Sequence, residues 1–429
     1  MKYDLSKWFG SRVIWLIMLV AGSAALSRFD SENITSIIWA DSEGYYLYLP
    51  ATFINGGFEG LPCKSGCTIP NEELGWVRSK YTYGVAIMEL PAFFAAHLYA
   101  SFSDHVANGY SAPYGYSILF SALLYFLLGL LFLRRFLKKR FSDWAVNLTL
   151  VSIGLGTNLF YYTTGEAGMS HVYSFFLFTT LMYLIDRWIT DGRSFVDTFK
   201  LAMIASLIVF IRPTGIVILA LIPFLDTANV EQIKSRFKSM LDSGLIYWIC
   251  ILIAILFIPQ FYYWKQFSGE WFTYSYESEG FTFWKNPKIR HVLLSYQNGL
   301  FMYAPILLAI PGGLFAMWKS QRFNAILIAV IFLSATYIFS SWWAWWFGGA
   351  FGHRAFIEYF AIGSIPMAFT FEYLRKSASA IKFGTLGLTA IAVYANLRMT
   401  YHYAPPWDGP HWNWGRYWDV WEWVFSGAL

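Results

Sequence analysis

The sequence predicts an all-α, polytopic transmembrane helical bundle of about 11–13 spans, and three observations predict it. The chain of 429 residues is 57% hydrophobic and only 13% charged. A soluble domain carries about 25% charged residues, so this chain has too few to cover a water-facing surface. Apolar runs of about 18 residues or more recur along it, long enough to cross a hydrocarbon core of roughly 30 Å. Basic clusters alternate with those runs, as expected of loops kept on the cytoplasmic side.

The first run, Val13 to Leu26, has the length of a signal peptide. It lacks a small-x-small cleavage site ahead of a soluble domain and reads as a retained anchor. Six basic clusters follow the pattern: Lys2/Lys7/Arg12, "RRFLKKR" at 134–140, Arg187/Arg193/Lys200, "KSRFK" at 234–238, Lys319/Arg322 and Arg375/Lys376/Lys382. They hold 19 of the 31 basic residues. With all six on one side, the spans fall near 13–28, 114–133, 144–162, 171–190, 200–212, 214–225, 243–263, 299–318, 324–344, 355–373 and 382–400. That gives eleven crossings, with the amino terminus cytoplasmic and the carboxyl terminus outside.

Residues 82–101, "TYGVAIMELPAFFAAHLYAS", are apolar enough to span, but one crossing there would strand "RRFLKKR" outside. Glu89, Pro91 and His97 are also costly or disruptive in lipid. The segment reads as an interfacial or re-entrant helix on the outer side; the alternative is a span paired with another. The segments 200–212 and 214–225 have about 12 residues each, against roughly 20 for a full crossing. "RPTG" at 212–215 then reads as a tight outward-facing turn with Arg212 near the headgroups. No internal repeat of transporter type relates the two halves. Of the three cysteines, Cys63 and Cys67 lie in a polar loop, "CKSGC", and Cys250 lies in an apolar run as packing. The loop pair suits a small disulfide in an oxidising compartment, although its spacing is no signature.

This topology puts the chemically interesting stretches on the outer face. Loops 29–113, 163–170, 264–298 and 345–354, with the tail 401–429, read as one cavity of a single domain covering 1–429. Ten of the 21 tryptophans fall within 340–356 and 401–423. An aromatic belt explains part of that enrichment but not its one-sidedness. Aromatic faces also stack on sugar rings, which makes Trp345, Trp346 and Trp412 candidate substrate contacts.

Each candidate has a plainer reading beside it. Asp41, just after the first span in "WADSEGYYLYLPA", is either a helix-starting acid or a general base. Glu43 is either charge compensation in a first helical turn or a ligand-binding acid beside Tyr45. Glu166, in "TTGEAGMSH", has small neighbours that leave room for a ligand. Arg354, in "GGAFGHRAF", follows flexible glycines, where its fork suits a phosphate. Lys80 and Arg354 would otherwise snorkel to headgroups. His171 and His353 are lone histidines without zinc-type spacing, so no metal is expected. No Gly-rich phosphate loop follows a strand, which leaves a soluble nucleotide donor without a seat.

The acid near tyrosines in "ADSEGYYLYLPA" resembles the first outer loop of the C-fold (GT-C) membrane glycosyltransferases. The closest likeness is to the branch holding the protein O-mannosyltransferases and the lipid A aminoarabinose transferase. "SKYTYGVAIMELPAFF", the cytoplasmic "LRRFLKKRF", "TTGEAGMSHVYSFF", "VFIRPTGIVIL" and "FGHRAFIEYF" match the pattern as well. The likeness is topological over most of the chain and its motifs are short. It departs from the mannosyltransferases in its Asp-Ser-Glu spacing, in the Glu on the second loop and in having no large soluble carboxyl-terminal domain.

The resemblance implies sugar transfer from a polyprenyl-phosphate donor to an acceptor hydroxyl on protein, lipid or glycan, on the extracytoplasmic face of a bacterial-type inner membrane. It puts Asp41 in the place of the acid opening the first outer loop, Glu166 in that of the acid on the following loop and Lys80 in that of a donor-phosphate ligand. The residues themselves then read as an inverting transfer with Asp41 as general base and Glu166 orienting substrate. Lys80, Arg354 and Arg212 would bind donor, with His171, His353, Glu43 and Tyr45 in the substrate site. No cofactor and no nucleic-acid partner are expected. A flippase of lipid-linked sugars, a polyprenyl-diphosphate-dependent glycan ligase and a non-catalytic scaffold are the competing readings.

Overall fold

The computed structural model describes residues 11–71, 75–402 and 412–426 of the chain. It is an all-α polytopic bundle. The helices that build it are α1 (Arg12–Arg28), α2 (Asp41–Tyr46), α3 (Gly84–Ser101), α4 (Ala112–Lys138), α5 (Asp143–Gly156), α6 (Leu159–Thr164), α7 (Ser170–Thr190) and α8 (Phe195–Ile211). They continue as α9 (Val230–Asp242), α10 (Leu245–Ser268), α11 (Ala309–Met317), α12 (Arg322–Ser341), α13 (Phe360–Arg375), α14 (Ser379–His402) and α15 (Trp414–Ser426). Two short antiparallel strands, β1 (Thr68–Asn71) and β2 (Trp76–Arg78), pair in the loop after α2.

Among the described residues, five helices, α3, α4, α10, α12 and α14, are long and apolar enough to cross a membrane. Along α10, Ile251, Ile255 and Ile258 are about half exposed or more. A stripe of that size facing water is a liability, whereas facing lipid it needs no partner. Four of the five coincide with predicted crossings. The fifth is α3, which the charge pattern kept out of the count, and its course explains why. Gly84 packs against Ile211 at the end of α8, and α3 then runs antiparallel to α4, with the Tyr125 hydroxyl donating to the Met88 carbonyl. Because Ile34 also packs against Gly115, segment 29–111 begins and ends at the same end of the bundle.

The basic clusters gather at the opposite end. Arg140 bridges Asp186 (2.7 Å) and Asp226 (2.6 Å), Asn324 reaches Asp226 (2.8 Å), and Arg187 lies 3.4 Å from Asp197. Arg236 donates to the Ile222 carbonyl, while Glu372 joins Arg375 to Ser142. Loops from five of the six predicted clusters therefore share one end.

Several predicted spans are not continuous helices. The stretch 144–162 breaks between α5 and α6, and 299–318 breaks into pieces at Leu300–Tyr303, Pro305–Leu308 and α11. At the first break, Asn396 of α14 donates to the Leu155 (2.8 Å) and Thr157 (2.9 Å) carbonyls. A break inside an apolar bundle survives only when its freed backbone groups find partners. Asn396→Leu should therefore cost about 1–3 kcal/mol, read as a fall in Tm in detergent. An unchanged Tm would assign those carbonyls other partners.

Candidate functional site

The end of the bundle opposite the basic clusters holds a group of acids, cations and tyrosines brought together from separate segments of the chain. Its first member comes from α2. Ala40 occupies the N-cap position, so Asp41 starts the helix without serving as its cap. Its carboxylate lies 3.0 Å from Arg354 Nη2, and its side chain is 27% exposed. Arg354 opens a short 3₁₀ turn (Arg354–Phe356) just before α13, and among the described residues its Nη1 meets the Met169 thioether at 3.4 Å. A guanidinium offers five donors and sulfur is a weak acceptor, so this cation is underused and suits an incoming anion.

The electrostatics push two carboxyls of one site apart, the pattern that separates acid and base roles. Burial pushes the Asp41 carboxyl up. Arg354, a hydrogen bond from Tyr81, Lys80 and Arg212 outweigh it and hold the group below its ordinary 3.8. Burial also pushes Glu166 up; there Arg354 and the Tyr161 hydroxyl only partly offset it, leaving the carboxyl above its ordinary 4.5. Because the folded value of Asp41 is the depressed one, its contribution to stability is complete above 3.8 and is lost as pH falls through the lower folded value. Asp41→Asn should remove that part of the acid dependence, seen as a flatter Tm–pH profile below pH ~4. A profile that superimposes on wild type would deny Asp41 a depressed pKa.

Around this pair the structure assembles most of the predicted residues. Tyr45 stacks on Tyr81 at 4.1 Å and donates to Ser170 Oγ at 3.2 Å. Lys80 pairs with Glu279 (3.0 Å) and lies over the Tyr81 and Tyr276 rings. Glu166 accepts from Tyr161 at 3.3 Å. Arg212 and His171 meet at Glu358: Arg212 Nη1 lies 3.0 Å from its carboxylate, and His171 Nδ1 lies 3.5 Å away.

Several expectations change here. Arg212 does not reach toward headgroups; it turns inward, because Glu358 is buried and the Tyr359 hydroxyl staples the turn by donating to the Thr214 carbonyl. The glycines beside Glu166 open no space of their own; they let neighbouring side chains pack close. A Cβ on Gly165 would lie 2.3 Å from Arg28 Nη1, and one on Gly168 would lie 1.8 Å from Ser42 Oγ. Glu43 is not free to bind substrate, since its buried carboxylate accepts the backbone N–H groups of Lys64, Ser65 and Gly66 at 2.8–3.0 Å.

The other predicted contacts each have partners within the protein. His353 is 1% exposed, with Nε2 against the Trp345 carbonyl, and burial lowers its pKa to about 3, so the ring stays neutral. Trp345 packs on His291 and Trp346, and Trp412 donates its indole N–H to the Tyr296 carbonyl. Of the predicted cavity tail 401–429, residues 403–411 and 427–429 fall outside the described residues. Cys63 and Cys67 form a disulfide at this same end.

Sequence reasoning missed Glu358, Arg28, Tyr81, Tyr276 and Glu279. Glu358 carried a usable signal, being an acid in an apolar segment four residues after Arg354. Arg28 ends α1, where it reads as a snorkelling residue; instead its guanidinium lies over Tyr161 and Tyr401 and donates to the Thr400 carbonyl. Tyr81, Tyr276 and Glu279 stand among many like residues and carried none.

No family model matches the chain, and no curated protein matches it in sequence.

Proposed function

We propose that this chain is a membrane glycosyltransferase that moves a sugar from a polyprenyl-phosphate donor to an acceptor hydroxyl on the extracytoplasmic face. The observation that carries the reading is the Asp41–Arg354 pair, a charged acceptor beside a cation whose second nitrogen meets a thioether among the described residues. The donor phosphate takes that underused face of Arg354, with Lys80 and Arg212 adding positive potential. The bond between the anomeric carbon and the phosphate oxygen breaks, and its electron pair leaves on the phosphate, where the cations stabilise it. The acceptor oxygen bonds to the anomeric carbon from the opposite face and gives its proton to Asp41. Glu166, the carboxyl that holds its proton more strongly, orients a sugar or acceptor hydroxyl. No metal or cofactor is assigned to the step.

Two features support an extracytoplasmic site. The basic clusters gather at the other end of the bundle, and the Cys63–Cys67 disulfide lies at this one. The donor's tail is assigned to an apolar cleft of ≈ 750 Å³ between α3, α10 and residues 48–58, lined by Tyr48, Phe53, Phe58, Leu90 and Tyr262.

The test is reconstitution into liposomes with radiolabelled polyprenyl-phosphate hexoses and pentoses. The proposal expects free polyprenyl phosphate to form together with glycosylated acceptor. Movement of intact donor between leaflets without cleavage would identify a flippase instead, and turnover of diphosphate donors alone would identify a ligase.

A further inference from the structure

Glu43 and the "CKSGC" loop take no part in the reaction above, yet they are fitted closely to the start of α2. The disulfide closes residues 63–67 into a ring whose backbone amides at Lys64, Ser65 and Gly66 all point at the Glu43 carboxylate. The same ring holds the residue before Asp41, because the Ala40 N–H donates to Ser65 Oγ at 3.0 Å. A Cβ on Gly66 would lie 1.6 Å from the Ala40 carbonyl oxygen, so only glycine allows that approach. Ala40 itself sits at φ 52°, ψ −134°, a region that side-chain-bearing residues adopt only when their surroundings hold them there. On the other side of the turn, Ser79 Oγ donates to the Gly44 carbonyl at 2.6 Å.

We propose that the Cys63–Cys67 ring and Glu43 form a latch that fixes Asp41 in its reactive position, which makes Glu43 a positioning residue and the latch sensitive to thiol reductants. This rests on the reading of Asp41 as the general base. Reduction transfers two electrons from a dithiol: the Cys63–Cys67 bond becomes two thiols, and the dithiol closes to its own cyclic disulfide. The ring then opens, its three amides no longer converge on Glu43, and Ala40 relaxes from its left-handed conformation. Asp41 follows, because it is the next residue along the chain.

The test uses the full chain in lipid nanodiscs, as wild type before and after dithiothreitol, as wild type reoxidised, and as the variants Glu43→Ala, Glu43→Gln and Cys63→Ser/Cys67→Ser. Two readouts are taken: hydrogen exchange of the 40–47 amides, and kcat against KM for transfer. Reduction and Glu43→Ala should each speed exchange at 40–47 by about tenfold. They should lower kcat by about ten- to a hundredfold with donor KM within about twofold, the pattern of a displaced catalytic group. Glu43→Gln, which keeps one acceptor oxygen, should fall between, and reoxidation should restore both readouts.

Adding Ala40→Gly to the double cysteine variant should recover part of kcat, since glycine adopts that backbone without the ring. A merely structural disulfide predicts no such rescue. Unchanged exchange in both the reduced protein and Glu43→Ala would overturn the latch, as would faster exchange with kcat intact. Faster exchange in a wild-type protein that transfers no sugar would instead remove the transferase reading and leave the latch standing.

Discussion

Asp41→Asn is expected to abolish sugar transfer, lowering kcat by about 10²- to 10⁴-fold, the usual contribution of a positioned general base. The substitution is nearly isosteric and keeps an oxygen to accept from Arg354, so the fold and the binding of a polyprenyl phosphate should persist. Donor affinity should hold or rise, because removing the carboxylate charge leaves Arg354 freer for phosphate. A full loss with intact donor binding is what separates a proton acceptor from a packing residue. Turnover within about twofold of wild type would end the candidacy of Asp41.

Arg354→Ala carries the second large effect. Hydrogen bonds to charged groups contribute about 1.5–3 kcal/mol each, so donor binding should weaken roughly 10- to 100-fold. The variant also leaves Asp41 without its nearest cation, and the opposing burial then raises the carboxyl pKa. A lower Tm should therefore accompany the loss of binding, most clearly near neutral pH where Asp41 must stay charged. Arg354→Lys is the discriminating control. It keeps the charge without the planar fork, so it should retain stability better than affinity. Unaltered donor affinity in Arg354→Ala would move the phosphate site to Lys80 or Arg212.

The fold class could be read from composition because membrane residence is a bulk property: too few charges, and apolar runs of spanning length, suffice to state it. The gathering of basic clusters at one end follows from the same logic, and so does the placement of segment 29–111, whose two ends lie together. What pattern reading could not supply are features that depend on residues distant in sequence. The run 144–162 looks continuous. It breaks because Asn396, more than 230 residues away, is placed to cap the freed carbonyls.

The site divides along the same line. Asp41 and Arg354 stand out locally, one as an acid after a span and the other as a cation after glycines. Glu43 looked equally promising, but its role is decided by three amides of a loop about twenty residues downstream. The glycines around Glu166 suggest open space, but at Gly165 and Gly168 themselves Arg28 and Ser42 take it. Arg212 looked like a lipid-facing cation because its partner, Glu358, lies in a different apolar segment. Ion pairs across a bundle obey no sequence period. A local reading therefore finds candidate charges and cannot name their partners.

A density map of the chain in nanodiscs with a bound polyprenyl-phosphate sugar tests the central claim most directly. The phosphate should lie within hydrogen-bond distance of the Arg354 guanidinium, with the Asp41 carboxylate facing the anomeric carbon across the space left for an acceptor. A phosphate held away from Arg354, or an anomeric carbon turned from Asp41, would contradict the account.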